Sequence, residues 1–179
     1  MTTVRKSTSS NKKARIVAFS SSLGWMAIRS LDTCLTRATC GRQSLDTAVA
    51  AMEDDDPNVC RPNPFESRII KRLQAFADGK RDDFLDVELD LDHLTTFARR
   101  VIGQCRKIKF GSVLTYGQLA SKAKSPNAAR AVGSVMRKNR FPLIVPCHRV
   151  VGAGGSLGGY SAPDGLDMKR RLLQMEGSL

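Results

Sequence analysis

A thiol is followed at once by an imidazole in the run "IVPCHRV", residues 144 to 150. Thiolate is the strongest nucleophile among ordinary side chains, and a nearby histidine can take up the proton that the thiol must lose. With an unperturbed pKa near ~8.5, Cys147 would be mostly protonated at neutral pH, so a nucleophilic role requires activation. Consecutive side chains diverge in regular structure, which makes direct contact between Cys147 and His148 awkward; a bridging water would solve the geometry. The competing reading is packing, since free cysteine is among the residue types most often buried. His148 is one of two histidines, and the other, His93, is the only one that a cysteine hydrolase could recruit from a distance.

The surrounding pattern has to hold that pair in place. Thr115 can cap a helix over "YGQLASKA", a short "KSP" link follows, and Pro126 opens a second helix over "NAARAVGSVMRKN". Two short helices so tightly joined suggest helix-turn-helix, a signal that purely structural hairpins also give. Asn139 and the apolar run "FPLIVP" lead into Cys147. Beyond it, "VVGAGGSLGGYS" has five glycines between 152 and 159, either an ordinary flexible loop or one that lets a flat ligand approach the backbone. A last helix over roughly 166–176 ends at Glu176, before Gly177.

Upstream, "IVAF", "LGWMAIRS" and "TCLTRATC" alternate over short stretches and predict a small antiparallel sheet. Leu45, Ala48, Val49 and Met52 recur at helical spacing. In "NPFESRIIKRLQAFADG", Asn63 is the N-cap, Pro64 the first helical residue, Glu66 the third, and Gly79 the terminator. Alternating Leu85, Val87, Leu89 and Leu91 predict a half-exposed strand or extended linker. Next, Leu94, Phe97, Ala98, Val101, Ile102 and Cys105 form one helical stripe, with Cys105 in the core. The expected organisation is a basic disordered tail over 1–15, a sheet-and-helix domain over 16–92, and a helical domain over 93–179.

Charge is distributed unevenly along the chain. The net charge is +12, yet residues 1–98 hold 14 basic and 14 acidic side chains, whereas residues 99–179 hold 15 basic and 3 acidic. Such an asymmetry points to a polyanionic partner, and with the helix-turn-helix pattern to nucleic acid. No window approaches the ~20 apolar residues of a membrane helix. Five cysteines without a framework of spacings argue against a secreted disulfide scaffold and for a reducing compartment: cytoplasm, or nucleus in a eukaryote. Cys34, Cys40 and Cys60 could share a metal in principle, but there is no CxxC pair, and idle thiols are the expectation.

Taken together, "FARRV", "KFGSVLTYGQLA", "NAARAVGSVMRKN", "PLIVPCHRVVG", "LGGYS" and "LLQMEG" resemble the O6-alkylguanine-DNA alkyltransferases, also called methylated-DNA–protein-cysteine methyltransferases. The likeness is strong over about half the chain and weaker, though in order, through "SSLGWMAIRS". It implies an α+β fold, with a ribonuclease H-like front half and a winged-helix-like DNA-binding half containing the helix-turn-helix. It also implies direct, single-turnover repair, in which an O6-alkylguanine, or an O4-alkylthymine, is flipped out of duplex DNA and its alkyl group passes to the cysteine. Extrusion costs a few kcal/mol (~), less for a damaged pair.

By this resemblance Cys147 is the nucleophile, and Cys147, a water, His148 and Glu176 form the activating relay. Tyr116 rotates the nucleotide and bonds to the base, Ser161 meets O6, and the backbones of Cys147 and Val150 take the exocyclic amine. Asn139 is a hinge between the DNA-binding helix and the active site, while Pro142 and Leu157 wall the alkyl group. Arg130 fills the gap in the base stack. Ala128, Ala129, Ala131 and Gly133 keep that helix slim enough for the minor groove, and Thr115 and Arg137 complete the DNA contacts. Neither cofactor nor metal is implied, because the lesion is the donor and the protein the acceptor; the zinc ligands of some animal members are missing. The expected partner is double-stranded DNA carrying O6-alkylguanine, with no membrane, bound by a monomer. "SAPDGL" is longer than the turn of the human-type pattern. A regulator or lesion sensor without chemistry is the chief alternative, but such sensors lack the cysteine.

Overall fold

Alternation at period two builds the front of the molecule. The computed structural model describes residues 13–53 and 59–179. Strands β1 (Arg15–Ser21), β2 (Gly24–Leu31) and β3 (Cys34–Arg42) form an antiparallel sheet in that order. Ile16 and Ala27 leave one face to pack on Ala48 and Met52, whereas Val17, Phe19, Met26 and Ile28 leave the other and join the main core. Most of the tail expected over 1–15 lies outside the described residues. Arg15 itself belongs to β1, held there because its guanidinium donates to the buried carboxylate of Glu66 at 2.9 Å.

Helix α1 (Leu45–Ala50) is shorter than the apolar spacing suggests. Two turns can press only a narrow face on the sheet: Ala48 is buried, Met52 packs from the following turn, and Leu45 is left 41% exposed. Helix α2 (Pro64–Ala77) has the anticipated ends. The Asn63 side chain accepts from the Glu66 amide at 2.9 Å, the Glu66 carboxylate accepts from the Asn63 amide at 2.8 Å, and Gly79 follows at φ +86°. Residues 85–87 form a turn, closed by the Val87 amide donating to the Phe84 carbonyl at 3.1 Å, where an extended stretch is expected; only one parallel bridge, Leu35 to Leu89, follows, and Leu85 faces solvent. One apolar cluster runs on across position 92, from Leu73 and Phe76 through Val101 and Ile102 to Cys147 and Leu172.

Helix α3 (Thr96–Cys105) buries Ala98, Val101, Ile102 and Cys105, with Thr95 as its cap and Leu94 just outside it. Strand β4 (Leu114–Thr115) leads into α4 (Tyr116–Lys122), whose Thr115 and Gln118 cap each other reciprocally. Helix α5 (Ala129–Arg137) starts three residues later than Pro126 suggests. The Ala128 amide donates to the Ser125 carbonyl at 3.0 Å, so Pro126 sits inside a tight turn, where its fixed φ is equally well accommodated.

A two-residue parallel pairing of β4 with β5 (Val150–Val151) joins the Cys147 segment to the N-terminus of α4. The chain closes with α6 (Gly165–Met175). The result is a mixed α/β fold with a small three-stranded antiparallel sheet. Among the described residues no helix is long and apolar enough to cross a membrane.

Candidate active site

Cys147 opens a single 3-10 turn, Cys147–Arg149, between the apolar run and β5. The run is folded tightly against it: the Val145 amide donates to Phe141 at 2.8 Å, and Leu143 holds a left-handed φ of +71°. For a residue with a Cβ that conformation costs about 1 kcal/mol or more, so the surrounding packing has to enforce it. Asn139, just past α5, does much of the enforcing. Its Nδ2 donates to the Val145 carbonyl at 3.0 Å and to Cys147 Sγ at 3.1 Å, while its Oδ1 accepts from the Phe141 amide at 3.0 Å.

Behind the sulfur lies a buried cluster. His148 Nε2 is 2.8 Å from Glu176 Oε1, and both side chains are fully buried. Arg149 donates to the same carboxylate through Nε and Nη2, each at 2.9 Å, and through Nη1 to the Ile108 carbonyl at 2.7 Å. The Gly111 amide adds a donor at 3.3 Å. Glu176 thus accepts from several sides. Against an ionised carboxylate, His148 keeps its proton on Nε2, which leaves Nδ1 as the basic nitrogen. That Nδ1 is buried and has no hydrogen-bond partner among the described residues.

Electrostatics fix the resting protonation states. Burial pushes the Cys147 thiol up, offset only in part by Asn139 and the charge of Lys169. Burial likewise lowers His148, against the pull of Glu176, so the imidazole is neutral at neutral pH. Glu176 would be raised by burial, but the hydrogen bonds from His148 and Arg149 outweigh that and bring its carboxyl down to about 2. The resting site therefore holds a neutral thiol, a neutral imidazole and a firmly ionised carboxylate. A proton can leave Cys147 for His148 as a bond to sulfur forms, with Glu176 stabilising the imidazolium.

A cavity of ≈ 390 Å³ opens beside the sulfur, lined by Tyr116, Gly133, Met136, Arg137, Cys147, Gly159, Tyr160 and Ser161. Of the residues anticipated from sequence, Tyr116, Gly133, Arg137 and Ser161 meet Cys147 there. Tyr116 lies against the glycine loop: Gly158 has φ +67°, and a Cβ at that position would stand 2.9 Å from the Tyr116 ring. Asn139 and Pro142 line a neighbouring cavity that also reaches Cys147. Thr115, Ala129 and Arg130 line an outer groove together with Tyr116 and Gly133; Arg130 and Ala131 are exposed on α5, and Ala128 is half-buried at its start.

Two residues stand apart. Leu157 is half-buried and lines neither cavity at Cys147, and Val150 is fully buried with its carbonyl already accepting from Lys169. His93 lines a separate cleft with Leu91, Leu94 and Ala98, and neither cavity at the sulfur.

The sequence reading missed Lys169, Arg149 and Tyr160. Lys169 is fully buried, and burial lowers its ammonium to about 8 while the nearby thiols of Cys147 and Cys105 act to raise it. A signal was available, since Lys169 shares a helical stripe with Leu172, Leu173 and Glu176, and a lysine on an apolar face is unusual. Nothing in the sequence distinguishes Arg149 from a surface arginine. Among the described residues no three metal-ligating side chains converge.

Comparison with known proteins meets this arrangement. The model of the 6-O-methylguanine DNA methyltransferase DNA-binding domain matches residues 96–178. The methylated-DNA–protein-cysteine methyltransferase of Metallosphaera sedula is 43% identical over 111 residues, 62% of this chain and 67% of that protein. The Mycobacterium tuberculosis OGT, solved in complex with DNA, superposes with a TM-score of 0.74 at 33% identity, covering 92% of this chain and 93% of its own. The O6-methylguanine-DNA methyltransferase of Pyrococcus kodakaraensis gives a TM-score of 0.69 at 27% identity, covering 92% of this chain and 99% of its own. With a likeness that spans both halves and includes the segment bearing the buried thiol, histidine and carboxylate, the chain belongs to the methylated-DNA–protein-cysteine methyltransferase family.

Proposed function

We propose that this protein repairs DNA by moving the alkyl group of O6-alkylguanine, and of O4-alkylthymine, onto Cys147 in a single turnover. The observation that carries the reading is the cavity at Cys147, bounded by Tyr116 and Ser161 and backed by His148 and Glu176. A thiol sunk in such a cavity cannot reach a base stacked in a duplex, so the nucleotide must be everted first. Arg130, exposed among small residues on α5, fills the gap left in the stack, and Thr115 and Arg137 contact the strand that is held open. Ala128, Ala129, Ala131 and Gly133 give the helix its slim profile.

Transfer is an in-line displacement. Cys147 gives its proton, through a water, to His148 Nδ1, and Sγ bonds to the alkyl carbon as the carbon–O6 bond breaks. The bonding pair stays on the base, which recovers the proton. Tyr116 and Ser161 face the departing base, the backbone of Cys147 faces its amine, and Pro142 bounds the alkyl side. The thioether has no second acceptor, so each molecule acts once and needs neither metal nor cofactor. The reading includes a ribonuclease H-like front domain over 16–92, a winged-helix-like domain over 93–179 and a monomer acting on DNA in the cytoplasm or nucleus.

The test is to incubate the protein with duplex DNA carrying O6-methylguanine and follow the mass of the Cys147 peptide. The expected result is a methyl-sized gain that saturates at one per molecule and is absent in Cys147→Ala, which still binds DNA. Continuing turnover, or repair by the alanine variant, would overturn the reading.

A further inference from the structure

The cleft that holds His93 lies between the segment entering α3 and the end of α5, and it encloses ≈ 360 Å³. That falls in the range of roughly 300–1,000 Å³ typical of small-ligand sites. Leu94, Ala98, Ile102, Val135 and Phe141 make its walls apolar, and Ala98, Ile102 and Phe141 are buried. Cys147 and Tyr116 are not among the residues around it, so it is distinct from the base cavity.

Three polar side chains, His93, Lys138 and Arg140, complete the chemistry of this cleft. None of them has a hydrogen-bond or ion-pair partner among the described residues, and no acid lines the space. Asp92, beside His93 in sequence, is exposed and lies 3.6 Å from Arg99 instead. Elsewhere in the fold Arg15, Arg72 and Arg149 each hold a carboxylate. An apolar recess edged by unpaired cations fits a molecule with an apolar body and one negative head. A carboxylate can take two parallel hydrogen bonds from the Arg140 guanidinium, with the Lys138 ammonium as a further donor.

Asn139 connects the cleft to the sulfur. It lines the cleft, and its Nδ2 donates to Cys147 Sγ at 3.1 Å. A carboxylate bound there brings a negative charge up to Asn139, and a like charge nearby disfavours the thiolate. We propose that this cleft is a regulatory site for small apolar monocarboxylates, whose binding slows the reactions of the Cys147 thiol. The inference goes beyond the alkyl-transfer reading and stands without it, since it concerns the thiol in the absence of DNA.

Sodium benzoate is the probe, with benzamide as its neutral counterpart and acetate as a carboxylate lacking the apolar body. In thermal melts of the full chain at matched ionic strength, benzoate should raise the melting temperature with an apparent dissociation constant of about 1 mM or tighter. Benzamide and acetate should each bind at least about tenfold more weakly. Saturating benzoate should also slow iodoacetamide alkylation, followed by the mass of the Cys147 peptide, by about threefold. The Lys138→Gln/Arg140→Gln variant should bind benzoate about tenfold more weakly, and Val135→Phe, which narrows the cleft, should weaken it as well. Equal wild-type responses to benzoate and either control overturn the proposal whether or not the variants fold. Benzoate binding that leaves alkylation unchanged, or that persists undiminished in both variants, overturns it too. If benzoate does not bind while the double variant loses affinity for unmodified duplex, the cations serve a backbone phosphate and the proposal is wrong.

Discussion

The amide of Asn139 holds the Val145 carbonyl at 3.0 Å and the Cys147 sulfur at 3.1 Å with the same nitrogen. The end of α5 and the sulfur of Cys147 are thereby joined through one side chain. Asn139→Ala should push the thiol further up, since Asn139 is the leading influence lowering it. It should also leave the Phe141 amide, which donates to Asn139 Oδ1, without a partner in a buried position, at about 1–3 kcal/mol of stability. We expect transfer to slow by one to two orders of magnitude (~) and the pH profile of thiol alkylation by iodoacetamide to move upward.

Glu176→Gln keeps the shape but removes the charge that faces Arg149 and His148. A buried arginine left without its anion should cost about 3–5 kcal/mol in a denaturant titration, and the transfer rate should fall with it. The wild-type carboxyl is lowered from 4.5 to about 2, so its stabilisation is fully present above about pH 4.5 and is lost as pH falls through 2. By linkage that is about 3 kcal/mol over the window. Unfolding free energy measured between pH 5.5 and 2.5 should fall more steeply in the wild type than in the variant.

Lys169 works in the opposite direction. Its ammonium is lowered from 10.5 to about 8, so the folded protein holds that proton less tightly than the unfolded chain does. Stability should therefore rise as pH climbs from about 8 to 10.5, and Lys169→Met should flatten that limb in a pH series of thermal melts. The same variant removes a cation that favours thiolate, so transfer at neutral pH should be slower.

Gly158→Ala places a Cβ against the Tyr116 ring at a backbone φ of +67°. Tyr116 would have to shift or the loop would have to open. We expect at least a tenfold (~) loss in transfer from duplex DNA, with thermal stability lowered by only about 1 kcal/mol, the scale of a left-handed alanine.

Arg130→Ala tests eversion separately from chemistry. Transfer from duplex DNA should fall well below that from the same lesion in a single strand, where no gap has to be filled. Equal losses on both substrates would argue for a plain phosphate contact.

Much of this site was visible in the sequence because its signals are local. Asn63, Pro64, Glu66 and Gly79 delimit α2 through caps that act within a few residues, and Thr115 starts α4 in the same way. Cys147 beside His148 offers a reactive pair against a packing role, and the resemblance carried by the surrounding motif decides between them. Pro126 misled because proline serves a turn as readily as a helix start, and Leu45 because helical spacing does not say how many turns reach the sheet. Arg149 and Lys169 stayed hidden for a different reason. Their places depend on α6 docking on the Cys147 turn, a matter of topology that no short window of sequence carries.

The carboxylate that completes the relay comes from the end of α6, 28 positions downstream of His148, and the buried lysine comes from the same helix. A polypeptide interrupted anywhere between them would display the sulfur without its means of ionisation. Its exposed thiol would react with small electrophiles as any cysteine does. Proton removal directed by His148 and Glu176 therefore begins only when α6 has been made and docked.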